Sequence, residues 1–442
     1  MDAPVEHASR KPSENESCSE GVRFCAIQAR SWGLPNLTEL ADIAIHKTIR
    51  RGPEKRSYAG AIVKVLTQLI SNAQMNNLKP PIKRGHFYLL TRLYILSFYY
   101  AGLPPDVLTG NQKEYALDNV TLPLDQLSET VKGALFALGL RDDTLATVQA
   151  VLMYAQKRGS NQGLAKIKER TILPDTDAQA IVTDMRSINI AHLNGGGNVG
   201  MLVLQKATEQ AIELTRLSGL SLVTTNNTRS STGAIGFYAR QLAEYGFIGL
   251  VLAGSPKVMA VAGGIDPVMG TNPIAIAIPT SNDPLVLDMA TAATTWFAVL
   301  HARDHNQTIK DDYAIDCDGF ATTSPAEALT GALRTFGGNK GSGLALMFEM
   351  LTGPLAGASI AEEHTDNRGN FIIGINPAVV LADNSFVPRV DELLGKIRNG
   401  RQASIRLPGD QSEALAKQCE LTNSITIERT IYEHVCELAT FN

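Results

Sequence analysis

The chain has no Cys-x-x-Cys pair and no cysteine/histidine group at zinc-ligand spacing; its five cysteines (Cys18, Cys25, Cys317, Cys419, Cys436) are scattered and odd in number. No disulfide framework or metal site is therefore expected, and a reducing, cytoplasmic compartment fits best. Residues 1–20 lack an apolar segment, so no signal peptide is expected. Long hydrophobic runs are missing too. The most apolar stretch near the N-terminus, Phe87 to Leu103, contains Arg92 and several tyrosines, which suits a buried helix and is too short and polar for a membrane span. Nor does one charge sign dominate. A formal net charge of -4 argues against a dedicated nucleic-acid binder, and 44% hydrophobic with 19% charged residues is the composition of a soluble globular protein.

A chain of 442 residues exceeds the usual single core, so one large domain and a smaller one are expected. Residues 1–20, rich in Ser, Glu and Pro, read as a disordered tail. Residues 21–115 read as a small all-helical module. Its clearest segment is Tyr58 to Met75, where Ile62, Val65, Leu66, Leu69 and Ile70 fall at helical spacing. The module is basic, with ten Lys/Arg against the single acid Glu54 between Lys47 and Arg92. That charge run suits a solvated helical face, or a docking surface for an acidic protein or an RNA partner.

Beyond residue 116 helices interleave with apolar strands, the pattern of an α/β layered domain. Two helices are expected on either side of residues 138–143, then helices at 209–217, 237–245 and 341–351. Strands are expected at 220–225, 248–253, 273–279, 285–287 and 371–381. No Gly-x-Gly-x-x-Gly stands between a strand and a helix with an acid downstream, so the ordinary Rossmann signature is missing. The nearest approach, Gly195-Gly-Gly-Asn-Val-Gly200, shows no clear strand before it.

Three segments follow in order: Gly270-Thr-Asn-Pro-Ile-Ala-Ile-Ala277, Leu287-Asp-Met-Ala-Thr291 and Gly337-Gly-Asn-Lys-Gly-Ser-Gly343, with Ser404-Ile-Arg-Leu-Pro-Gly409 after them. A dinucleotide needs backbone N–H groups and a cation for its pyrophosphate, and small residues for close approach. The Gly337–Gly343 run, opening a helix, offers these with Lys340 as the cation. From about Leu122 onward the chain resembles the malate/L-lactate dehydrogenase type 2 family, whose members include ureidoglycolate dehydrogenase, 2,3-diketo-L-gulonate reductase and cyclic ketimine reductases. The resemblance implies a non-Rossmann NAD(P)-binding α/β fold with an added N-terminal helical module. It also implies a substrate-holding helical part at 116–190 and 380–442, and a cofactor-binding part at 191–380. Ser255, Asp288, Met289, Ala290, Asn339, Lys340, Gly409, Asp410 and Gln411 would then contact NADPH or NADH. Family members are homodimers, and the same is implied here.

The substrate half departs from the family pattern. Where the family carries Ser-His-Gly and an Arg three residues later, this chain reads Arg158-Gly-Ser-Asn-Gln-Gly-Leu-Ala-Lys166, with Gln162 at the histidine and Lys166 at the arginine. Lys166 could hold a carboxylate as a point charge, whereas Gln162 can only donate a hydrogen bond. In Asn226-Asn-Thr-Arg-Ser-Ser-Thr-Gly233, Ser230 or Ser231 takes the place of the second family histidine. None of the eight histidines occupies either slot, and His192 reads as a satisfied surface residue. Asp288, Asp266 and Tyr238 are candidates for a relocated acid.

The expected function is an NAD(P)H-dependent reductase of a C=N or C=O group beside a carboxylate or carrier-bound acyl group, in a specialised biosynthetic pathway. An imine is preferred, because a protonated iminium accepts hydride without an enzymic proton. The alternative is a non-redox pseudoenzyme or partner-binding protein on the same fold.

Overall fold

In a computed structural model, residues 118–360, 367–400 and 405–440 are described. The expected tail, the basic module and its acidic protein or RNA partner fall outside them. The elements begin with β1 (Asn119–Pro123), α1 (Leu124–Ala137), α2 (Asp142–Lys157) and α3 (Ala165–Lys168). There follow β2 (Val182–Ser187), β3 (Ile190–Asn194), α4 (Gly200–Ser218), β4 (Leu220–Thr228), α5 (Gly236–Glu244) and β5 (Ile248–Ala253). The middle of the chain gives β6 (Met259–Ala260), β7 (Pro267–Met269), β8 (Ile274–Ile278), β9 (Leu285–Met289), α6 (Trp296–Asp304), β10 (Ala314–Ile315), β11 (Ala321–Thr322), α7 (Pro325–Thr330) and β12 (Ala332–Leu333). The remainder is α8 (Asn339–Thr352), β13 (Arg368–Ile375), α9 (Pro377–Leu381), α10 (Phe386–Arg398), α11 (Asp410–Thr422), β14 (Ser424–Glu428) and α12 (Arg429–Thr440). Among the described residues no helix is long and apolar enough to cross a membrane.

The main layer is a seven-stranded mixed sheet ordered β2-β3-β4-β13-β5-β8-β9. β3 and β4 are parallel and joined by α4, while β13 runs antiparallel to both β4 and β5. A late segment of the chain thus fills the centre of the sheet, and its residues Asn370 to Ile372 are buried. α4 buries Ala207, Ala211 and Leu214 among many others, and α5 packs beside it through Tyr238, Ala239 and Leu242. The main core runs on through Leu127, Val131 and Leu135 of α1 and Val148, Val151 and Leu152 of α2, both helices presenting apolar residues at three- and four-residue steps. A smaller five-stranded sheet, β11-β10-β12-β6-β7, has its own core around Met259, Val299 and Leu333. β1 and β14 pair antiparallel, bringing Asn119 opposite Glu428.

Two local expectations change. The Gly195–Gly200 run does follow a strand, β3, so it is a strand-to-helix turn. Its glycines serve backbone packing, however: a Cβ on Gly195 would stand 2.7 Å from the Asn227 carbonyl oxygen, and one on Gly196 2.5 Å from that of Gln179. The strand expected at 371–381 ends at Ile375. There the Asn376 side chain accepts from Ala378 N at 3.0 Å and Pro377 opens α9, so the apolar residues that follow continue as a helix. β2 lies before residue 191 and yet belongs to the large sheet.

Candidate active site

A cleft with a volume of about 1830 Å³ is lined from several elements. The end of α2 and the turn after it give Tyr154, Arg158, Asn161 and Gln162, and α3 gives Lys166. The loop after β4 gives Ser230 and Ser231, and the loop after β5 gives Ser255 and Lys257. β9 and the residue after it supply Asp288, Met289 and Ala290, α6 supplies Trp296 and Phe297, β13 supplies Arg368, and the start of α11 supplies Asp410 and Glu413.

Lys166 is the most unusual group in this cleft. It is 2% exposed, and its ammonium lies 4.3 Å from the centre of the Phe297 ring. Among the described residues no carboxylate pairs with it. Burial, reinforced by the neighbouring positive charge of Arg368, lowers its amine from the usual 10.5 to about 7. Arg368 enters the cleft from β13 and donates to the Ser230 carbonyl oxygen at 3.4 Å. Both cations line the cleft.

Gln162 is fixed sideways. Its amide donates to Asn161 Oδ1 at 3.3 Å, and Asn161 donates to Thr295 Oγ1 at 2.7 Å, the hydroxyl that also caps α6 by accepting from Ala298 N. The Ser230 hydroxyl accepts from Gly200 N at 3.3 Å and the Ser231 hydroxyl from Gly233 N at 3.1 Å. Both oxygens being engaged as acceptors, each serine keeps its own O–H to donate.

Asp288 accepts from the N–H of Gly236, the first residue of α5, at 2.8 Å. Burial raises its carboxyl from 3.8 to about 6, against the opposing effect of that hydrogen bond. Solvent still reaches the side chain through the open cleft. The raised value therefore applies most fully when the cleft is filled. Gly236 is required here by contact, since a Cβ would stand 2.9 Å from Asp288 Oδ2. The Tyr154 hydroxyl is pushed up to about 12, chiefly by burial, and the Arg158 guanidinium lies 3.8 Å from its ring centre. Glu413 accepts from both Arg158 and Arg240 at 2.8 Å, and Arg240 reaches Asp283 at 3.1 Å.

Ser255 Oγ accepts from Asn272 N at 3.1 Å and lies 3.2 Å from Thr271 Oγ1. Asp410 accepts from Leu407 N at 2.8 Å and from Arg398 at 2.7 Å, and the preceding Gly409 turns with φ +82° against the Val286 carbonyl. The cleft thus gathers Gln162, Lys166, Ser230, Ser231, Ser255, Asp288, Met289, Ala290, Gly409 and Asp410. Asn339 and Lys340, exposed at the start of α8, and Gln411, exposed and hydrogen-bonded to Arg406, do not line it. Of the relocated-acid candidates only Asp288 is in place. Asp266 is exposed outside the cleft, and Tyr238 is fully buried with its hydroxyl on the Thr232 carbonyl at 2.9 Å. His192 is half-buried and held by Thr224 Oγ1 at 2.9 Å. Arg368, Lys257, Thr295, Phe297 and Glu413 escaped the sequence reading because none stands in a recognisable motif.

A nicotinamide dinucleotide fits the residues present. The volume exceeds the roughly 300–1,000 Å³ of a single small-ligand site, and the hydroxyls of Ser255 and Thr271 and the cation Lys257 are among the residues that line it.

A match to the malate/L-lactate dehydrogenase family spans residues 122–436. The chain is 28% identical over 337 residues to the ureidoglycolate dehydrogenase (NAD(+)) of Escherichia coli K12, covering 72% of this chain and 95% of that one. It is 29% identical over 340 residues to the Delta(1)-pyrroline-2-carboxylate reductase 2 of Burkholderia multivorans, covering 73% and 98%. The solved sulfolactate dehydrogenase of Methanocaldococcus jannaschii superposes with a TM-score of 0.62 at 29% identity, covering 72% of this chain and 96% of that one.

Proposed function

Because the chain belongs to the malate/L-lactate dehydrogenase family of nicotinamide-dependent oxidoreductases, we propose that it reduces a C=N group, or a C=O group, beside a carboxylate or carrier-bound acyl group in a specialised biosynthetic pathway. The observation that carries this reading is the ammonium of Lys166, buried beside Arg368 and paired with no carboxylate among the described residues. A buried ammonium in such surroundings is stabilised by the anion it binds.

Lys166 and Arg368 hold the carboxylate. Gln162 and the hydroxyls of Ser230 and Ser231 donate hydrogen bonds to the reacting nitrogen or oxygen. When bound, NADH or NADPH supplies the hydride. Ser255, Asp288, Met289, Ala290, Gly409 and Asp410 line its place in the cleft. Asn339, Lys340 and Gln411 would reach its polar end where a second copy of the chain completes the site. The homodimer is supported by α8, which exposes Leu344, Leu346, Met347 and Met350 between 40% and 53%. Neither Gln162 nor the serines exchange a proton near neutral pH, and this favours an iminium over a ketone. Asp288, near 6, is the cleft carboxyl able to hold a proton there. A reducing, cytoplasmic location belongs to the same proposal; among the described residues Cys317, Cys419 and Cys436 are free.

The test measures NADH and NADPH binding, then oxidation of the bound nucleotide with cyclic imino acids and 2-oxo acids in parallel. Expected is imino-acid turnover at least about tenfold above that of the 2-oxo acids, and a raised KM in Lys166→Met. Faster 2-oxo acid turnover would sink the imine preference. Failure of both nucleotides to bind would return the non-redox alternative.

A further inference from the structure

The ridge of α6 that presents Phe297 to the cleft continues, at four-residue steps, to His301 and to His305 at the end of the helix. Both imidazoles turn to one carboxylate from β14. His301 Nε2 lies 3.2 Å from Glu428 Oε2, and His305 Nε2 lies 3.2 Å from Glu428 Oε1. One ligand atom from each of the three residues falls within 4.8 Å of the others. The rings stack with centroids 4.1 Å apart, and the Glu428 side chain is only 10% exposed.

Hydrogen bonding restricts how these groups can satisfy one another. His305 Nδ1 stands 2.8 Å from the His301 carbonyl oxygen. A carbonyl only accepts, so Nδ1 carries the hydrogen, and in the neutral ring Nε2 turns its lone pair on the carboxylate. Two acceptors at that distance need a proton or a cation between them. A proton on His305, with neutral His301 donating its Nε2–H, would satisfy the carboxylate and leave one charged ring stacked on a neutral one. One divalent cation satisfies all three groups together. Ligand atoms around a tetrahedral ion with bonds of about 2.0–2.1 Å stand about 3.3 Å apart; the two nitrogens approach different oxygens of Glu428 at 3.2 Å, so a turn of the carboxylate brings one oxygen toward both. Nδ1 on a backbone carbonyl is the outer support that ligating histidines commonly have. Two nitrogen donors and one oxygen suit zinc-like ions rather than the oxygen-seeking calcium or magnesium.

We propose that His301, His305 and Glu428 bind a divalent transition-metal ion of the zinc class, with water completing its shell. The ion takes no part in hydride chemistry. It ties α6 to β14, and so holds the helix whose cap, Thr295, receives Asn161 and whose Phe297 covers Lys166. Linear spacing concealed the site, because the carboxylate comes from a strand far downstream of the two histidines.

The test uses the full chain, stripped with a chelator and titrated with Zn²⁺ alone by calorimetry, with metal content measured after gel filtration and Co²⁺ absorption reporting coordination. Expected is one zinc per chain at micromolar Kd or tighter, weakened at least about 100-fold in His301→Ala and His305→Ala. Zinc should raise the melting midpoint by about 5 °C in the wild type and not in these variants. Glu428→Gln, which keeps size and shape, decides the matter if a histidine variant fails to fold. Retention of less than about 0.1 zinc per chain, or full retention in the variants, would overturn the site, given that tight binding demands all three ligands. In the first case the histidines are ion-paired to Glu428, and in the second the metal sits elsewhere.

Discussion

Replacing Lys166 with methionine keeps the unbranched four-atom stem and removes the ammonium, so the cost of the buried charge becomes measurable. The amine is lowered from 10.5 to about 7, by burial first and Arg368 second. A shift of that size corresponds to about 5 kcal/mol against the charged form in the folded protein. Local relaxation and water entry bring the realised cost to about 2 to 3 kcal/mol. The sign follows from proton linkage. Between the folded value near 7 and the unfolded value of 10.5 the unfolded chain binds the Lys166 proton and the folded chain does not, so wild-type stability rises with pH across that window. Below it both states are protonated and the full penalty applies. Lys166→Met should therefore exceed the wild type by about 2 to 3 kcal/mol at about pH 6, with the gap closing toward about pH 10. Urea unfolding of both proteins at three pH values measures this directly. Adding a carboxylate ligand should stabilise the wild type and leave the variant unmoved. A variant less stable than wild type at the acid end, or a gap independent of pH, would refute the picture of an ammonium held without a carboxylate.

Three further outcomes are expected. Asp288→Asn keeps an acceptor for the Gly236 N–H while removing a carboxyl raised to about 6. The folded protein binds more protons than the unfolded one between 3.8 and about 6, so wild-type stability falls as pH rises through that window. The variant should be at least as stable at neutral pH and lose the limb of its kcat/KM profile near 6; an unchanged limb removes Asp288 from proton handling. Gly236→Ala places a Cβ 2.9 Å from Asp288 Oδ2. It should lower kcat/KM about tenfold or more by moving the carboxylate while the melting temperature stays within about 2 °C, and unchanged turnover would contradict this. Glu413→Gln leaves Arg158 and Arg240 without their shared carboxylate; a loss of about 1 to 2 kcal/mol in urea unfolding is expected, and a change below about 0.3 kcal/mol would mean that the network contributes little.

Much of the fold was legible because burial leaves a period in the sequence. In α1 the buried residues Leu127, Val131, Ala134 and Leu135 recur at helical steps, and Gly219, with φ +82°, stops α4 as its lack of a Cβ permits. β2 was not legible, since all six of its residues are exposed and no alternation marks it. The strands of the small sheet are two or three residues long, too short for any period to show. In the site, the glutamine and lysine replacements at Gln162 and Lys166 could be read from the motif around them. What could not be read was Arg368, an isolated residue at the start of β13 that becomes Lys166's neighbour only through sheet pairing. Burial likewise sets the ionisation of Asp288 and Lys166, and no linear spacing encodes it.

The central position of β13 also bears on how the molecule is made. As the ribosome delivers the chain, β4 and β5 emerge well before their common neighbour, and each presents an open edge until residues 368–375 arrive. Closing the sheet then joins segments far apart in sequence, the kind of step that makes folding slow and leaves intermediates prone to aggregate. Arg368 begins that same strand, so Lys166 gains its cationic neighbour in the event that seals the sheet. A chain arrested before this point would hold most of its secondary structure and no competent anion site, making ligand binding a report on completed synthesis.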